Sequence, residues 1–254
     1  SNPILIVSTL IYTSHPRLFE LCSGIRLAFF NGRSPQARLR ANACLEKAQR
    51  LDPSLDIRDL SARILFADGR SDEALKVLEP INTQQVAILK LALFLDLRKL
   101  DEFDVLWKTE SVERDDAAYE LLAYRQRLDR QFPEALQSIQ VSLEQSPRIP
   151  SHLLAAAHIY FWHAIPEHLD KAPRSILPAW IHPLFYAPTA TQAHLLEKAA
   201  SYYRQALAIA SESGPTEADQ AREIEEFILL CLAYHPLQRV QAQELALRLL
   251  SEDP

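Results

Sequence analysis

Between residues 115 and 147 the string DDAAYELLAYRQRLDRQFPEALQSIQVSLEQSP sets out apolar and small residues at helical spacing twice, with one break between. Tyr119, Leu122 and Ala123 mark the inner face of one expected helix, and Phe132 is expected in the turn. Ala135, Ile139 and Ser142 fall on one face of a second helix that Pro147 stops. Two helices this short cannot bury an apolar face by themselves. Such a unit needs neighbours stacked against it, and this need constrains the fold more than any other feature.

The composition fits a nearly continuous helical chain. There are four Gly in 254 residues, and Gly in a helix costs about 1 kcal/mol relative to Ala. The apolar fraction of 48% and charged fraction of 24% are those of an ordinary globular protein.

The same spacing recurs along the chain. In residues 35–53, Ala41, Leu45 and Ala48 share a face and Pro53 ends the helix, while Ser34-Pro35 reads as an N-cap followed by Pro at the first helical position. Residues 55–80 end in GRSDEALKVLEP, where Gly69 permits a left-handed turn, Ser71 is expected to cap the next helix, and Ala74 is small enough for close helix approach. Ala62 and Leu65 sit at first-helix contact positions, but Arg58 and Ser61 stand where large apolar residues are expected. Residues 83–109 are a weaker copy whose segment 86–97 is apolar nearly all round, which implies a helix packed between neighbours. Further helices are expected at 149–163, near 191–212 with Ala199, Tyr203 and Ala206 on one face, near 217–234, and at 237–251. Gly214-Pro215 and Thr216 mark the break and cap between the second and third of these. Pro166, Pro173, Pro178, Pro183 and Pro188 forbid a long helix in between.

These units resemble the tetratricopeptide repeat, a helix–turn–helix of about 34 residues with small residues in its second helix and a terminal Pro. The resemblance covers roughly residues 17–163 and 190–252 and four to six units. It is carried best by 115–147 and by GRSDEALKVLEP. It implies an all-α, right-handed superhelix of hairpins: an N-terminal segment at 1–16, repeats over 17–163, an irregular Pro- and aromatic-rich insertion at 164–189, and further repeat-like helices over 190–254. In that family the first helices line a concave groove for an extended peptide or partner helix. Carried over, the groove would be offered by Arg26, Phe30, Arg63, Phe66, Glu120, Tyr124 and Arg127, with His158 and Trp162 near its end. Phe30 and Phe66 are equally candidates for packing between repeats, where burial of each contributes about 2 kcal/mol. The family's carboxylate clamp of Lys and Asn is not matched, because Asn31 and Asn42 are the only Asn in the first pair of helices and Lys is scarce on the inner face.

With Gly only at 24, 32, 69 and 214, there is no phosphate-binding loop, dinucleotide fingerprint or nucleophile elbow. No HExxH or paired Cys motif occurs. The chain is therefore not expected to be an enzyme or to carry a cofactor. A net charge of −6 argues against a nucleic-acid partner. Five Arg against one Glu in residues 1–40, and six acidic residues against Arg222 in 212–226, read as solvated helix faces. Six of eight His lie between 152 and 194: His152, His158, His163, His168, His182 and His194. Their spacings do not form a clean helical ligand pair, so no metal is expected. They are mixed with Tyr160, Phe161, Trp162, Trp180, Phe185 and Tyr186. That mixture suits either ring packing around an insertion or a partner surface.

Cys22, Cys44 and Cys231 are scattered, as expected of small apolar residues in a reducing, cytoplasmic setting. Ser1-Asn2 reads as a tag scar, and residues 4–12 are apolar but well short of the roughly 20 needed for a membrane span. The chain has no Met, so it reads either as a piece of something longer or as a sequence that has lost modified Met residues. The expected role is a non-catalytic scaffold or sensor that binds a protein or peptide. A regulatory helical arm of a larger transferase or signalling ATPase is the alternative, and a metal or small-molecule sensor would rest on the His-rich segment alone.

Overall fold

The computed structural model describes residues 35–252 except 55, 82, 110, 166–187, 213–217 and 236. Arg26, Phe30, the Ser34 cap, Cys22, His168, His182, Gly214-Pro215, Thr216 and nearly all of the Pro-rich insertion lie outside the described residues. Within them the chain is all-helical, with eleven helices and no strand. It divides into two compact units at Glu113/Arg114. The first unit holds α1 (Pro35–Leu51), α2 (Arg58–Ala67), α3 (Ser71–Leu78), α4 (Gln84–Asp96) and α5 (Leu100–Trp107). The second holds α6 (Asp116–Leu128), α7 (Phe132–Gln145), α8 (Pro150–Ala164), α9 (Ala190–Glu212), α10 (Ala218–Tyr234) and α11 (Arg239–Glu252).

Three hairpins, α2–α3, α4–α5 and α6–α7, turn by one device. The residue after each first helix's C-cap adopts left-handed backbone: Gly69 at φ 73°, Arg98 at 57° and Arg130 at 59°. Its N–H bonds the carbonyl three residues back, to Phe66, Leu95 and Arg127. The next N–H reaches back five residues, to Leu65, Phe94 and Gln126. This is the Schellman arrangement, and it satisfies carbonyls that the helix end leaves open. A Cβ at position 69 would meet nothing within 4 Å, so only backbone conformation favours Gly there. Gly69→Ala is expected to cost about 1 kcal/mol and Arg98→Gly, at an exposed site, to gain about 0.5–1 kcal/mol. Urea unfolding measures both, and opposite signs would contradict this account of the turns.

Counting from these residues shows a shared register in the three hairpins. Seven positions before stand Ala62, Leu91 and Ala123, and five positions after stand Ala74, Phe103 and Ala135, all fully buried. Small residues at most of these sites bring each helix pair close enough to interlock. The second helix starts two residues after each turn, at Ser71, Leu100 and Phe132. Two details of the sequence reading are corrected here. Ser71 does not cap α3: it lies inside the helix, is buried, and its hydroxyl donates to Asp96 at 2.5 Å. Tertiary pairing with α4 outcompetes the local cap, and Arg70 takes the cap position without a side-chain bond. Phe132 is likewise the first residue of α7, buried, because the turn is complete by Gln131.

Within each unit a helix packs on its sequence neighbours, and alternate helices also touch, α2 on α4 and α6 on α8. In the first unit Ala62, Ala74, Leu78, Val86, Leu89 and Leu93 form one apolar cluster. In the second unit Ala123, Phe132, Ala135, Ile139, Ala155, Ala156 and Ile159 join α6, α7 and α8. A larger cluster unites α8, α9 and α10 around Phe161, Leu196, Tyr203, Ile224 and Cys231. As the spacing predicted, Ala199, Tyr203 and Ala206 are fully buried, and Cys231 packs as an apolar residue.

Candidate binding face on the first helices

The shared register places three side chains of each first helix in a row along that helix: ten, six and three residues before the left-handed turn residue. They are Asp59, Arg63 and Phe66 on α2, Ile88, Ala92 and Leu95 on α4, and Glu120, Tyr124 and Arg127 on α6. All nine are half-buried. Buried residues lie one position before the middle residue of each row, at Ala62, Leu91 and Ala123. Each row is thus the shoulder of a packed helix, sheltered yet reachable from solvent.

In the second unit this face is polar and aromatic. The Arg127 guanidinium lies 5.6 Å from the centre of the Tyr124 ring, a cation–π distance. His158 on α8 meets Tyr203 of α9 edge-on at 5.5 Å and Phe227 of α10 at 4.8 Å. Tyr203 and Phe227 stack on each other at 5.3 Å. Desolvation, reinforced by the positive charge of Arg127, lowers the His158 pKa to about 4, so the ring is neutral at pH 7. Burial also pushes the Tyr124 phenol above its ordinary range, with Glu120 adding and Arg127 opposing. Burial acts in the same direction on Tyr203 and on the Cys231 thiol. His158 and Tyr124 therefore offer neutral hydrogen-bonding groups and ring faces, with the fully buried Tyr203 against His158.

Glu120 is held from α8. His152 Nε2 stands 3.3 Å from Glu120 Oε2, and the Ser151 hydroxyl donates to the same oxygen at 3.0 Å. His152 Nδ1 lies 3.2 Å from the Ser146 carbonyl, which can only accept, so Nδ1 carries a hydrogen. A second proton is then required between Nε2 and the carboxylate. The pair shares it, and desolvation raises the Glu120 pKa while His152 opposes that shift. On α2, Arg63 binds Asp59 one turn away at 3.1 Å, so that row carries a closed ion pair. Phe66 packs on the Ala62–Leu78 cluster and serves the core as well as the row.

Of the groove residues read from sequence, Glu120, Tyr124, Arg127 and His158 come together in the second unit, and Arg63 and Phe66 share the α2 row in the first. Trp162 packs against both apolar clusters of the second unit and meets Phe161 edge-on at 5.3 Å. The sequence reading missed His152 and Ser151 as partners of Glu120, and Tyr203 and Phe227 as the floor beneath His158. A signal for the first was present: a carboxylate on α6, with Ser-His opening α8 31 residues later.

Tyr203 adds an anomaly. Its residue is fully buried, and among the described residues its hydroxyl finds no hydrogen-bond partner. An unsatisfied buried hydroxyl is destabilising. Tyr203→Phe is therefore expected to raise stability by about 1 kcal/mol in thermal or urea unfolding, and a loss of that size would contradict the assignment.

No family model matches the chain, and no curated protein is significantly similar to it. Among the described residues no helix is long and apolar enough to cross a membrane. No group of three or more His, Cys, Asp or Glu there could hold a metal ion.

Proposed function

We propose that the chain is a non-catalytic scaffold of tetratricopeptide-like hairpins that binds a protein or peptide along the first-helix rows. The superhelical, right-handed stacking of that family is part of the same reading. The observation that carries it is the common register of nine half-buried side chains counted from three identical turns. A row that is partly desolvated before anything binds loses little further solvation when a partner covers it. Ring faces at Tyr124 and His158, with an Arg nearby, are the side-chain types that dominate binding energy at protein interfaces. Within the second unit the mixed charged and aromatic chemistry of Glu120, Tyr124, Arg127 and His158 suits a segment of mixed character in extended or helical form.

Photo-cross-linking tests this without disturbing the core. A cross-linking side chain at Ile88 or Leu95, both half-buried on the α4 row, is expected to capture a partner from an extract of the source cell. The same group at Gln137 or Gln140, exposed on α7, is expected to capture none. Equal capture from both faces would exclude the row as the binding surface.

A further inference from the structure

At the junction of α10 and α11 one buried imidazole holds two elements at once. His235 Nδ1 accepts a hydrogen bond from the Leu237 backbone N–H at 3.2 Å. Its Nε2 lies 3.2 Å from Glu197 Oε1 on α9. A nitrogen that accepts from an N–H carries no hydrogen, so the ring's hydrogen sits on Nε2 and is donated to the carboxylate. This tautomer follows from the bonding pattern alone, and it fixes His235 as neutral. Protonation can occur only at Nδ1, where the new N–H would oppose the N–H of Leu237. The turn bond must then break.

We infer that the α10–α11 junction is a pH-operated latch, closed by neutral His235 and opened when Nδ1 takes a proton. The charged and titratable groups around the ring come from three helices. From α9, Glu197 faces Nε2, and His194 stands 3.7 Å from the other carboxylate oxygen. From α10 itself the titratable neighbours in sequence are Tyr234 and Cys231, both of which burial keeps neutral. From α11, Arg248 is bound to Glu225 of α10 at 2.7 Å. The rest of α11's hold is narrow: Ala242 and Leu249 are buried, whereas Leu237, Val240 and Leu247 are exposed. Loss of the turn bond therefore acts on a helix with little apolar anchorage. Such low-stability elements are those that open locally. The sign is fixed by the acceptor: the closed state is favoured above the imidazole's titration and lost as pH falls through it.

Two measurements on the full chain decide the matter. Long-range proton–nitrogen spectra at about pH 7.5 should show His235 with Nε2 protonated and Nδ1 bare, and the opposite tautomer would overturn the proposal. Hydrogen exchange at the Leu237 amide, corrected for its intrinsic pH dependence, should lose about tenfold in protection between about pH 7.5 and about pH 5.5. His235→Asn places a carbonyl near the Nδ1 position, where it can accept from the residue two positions on but cannot be protonated. Its Leu237 protection should be independent of pH over that range. If His235→Asn retains the wild-type acid response, the latch does not reside in this imidazole.

Discussion

Replacing His152 with Ala is expected to lower the stability of the second unit by roughly 3–5 kcal/mol at neutral pH, through the carboxylate it abandons. Glu120 is largely shielded from solvent, with 17% of its side chain exposed, and its ionised form depends on the imidazole at 3.3 Å. Desolvation already holds the Glu120 pKa above its ordinary value, and removing His152 takes away the effect that opposes it. The sign follows from linkage. A carboxyl whose folded pKa is raised costs nothing below the unfolded value, where both states are protonated. Its cost grows as pH rises through the folded pKa. The defect of His152→Ala should therefore shrink on acidification. In a Glu120→Gln background the same substitution should cost only about 1–2 kcal/mol, since no charge is stranded. Urea midpoints of the four proteins at two pH values form the test, and a defect equal in both backgrounds would show that lost packing, not the shared proton, is responsible.

The second large effect concerns acid. Between the unfolded imidazole's pKa near 6.5 and the folded His158 value of about 4, the unfolded chain binds more protons. Stability contributed by neutral His158 is fully present above the upper value and is lost as pH falls through this window, by as much as about 3 kcal/mol. His163, lowered by burial and by Arg130, acts in the same direction, whereas Glu120 acts against it. His158→Leu keeps an apolar group against Tyr203 and Phe227 and removes the titration. Its stability should therefore fall less steeply than the wild type's from about pH 6.5 to about pH 4, as followed by circular dichroism in urea. Parallel curves would mean that the ring is not desolvated as its aromatic neighbours indicate.

Much of the candidate face was legible because helical register is a local property. Ala123, Ala135, Ile139 and Ser142 announced the buried sides of α6 and α7, and once those are assigned, Glu120, Tyr124 and Arg127 fall on the shoulder by geometry. Gly69 announced its turn because only Gly adopts that backbone without cost. Arg98 and Arg130 make the same turn with no residue-type signal. Ser71 and Phe132 were misplaced by one structural position each. Their local chemistry permits a cap or a turn, and only the packing against Asp96 or the α6–α8 cluster rejects those roles.

The amino-acid order by itself thus determined the helices, their buried sides and one of the three left-handed turns, since all of these depend on residues within a few positions of one another. The tertiary structure alone decided the pairings: Glu120 with His152, His158 with Tyr203 and Phe227, and His235 with both Glu197 and Leu237. Those pairings set which groups are charged, because a proton's position depends on the desolvation and partners that distant segments supply. No local spacing encodes that.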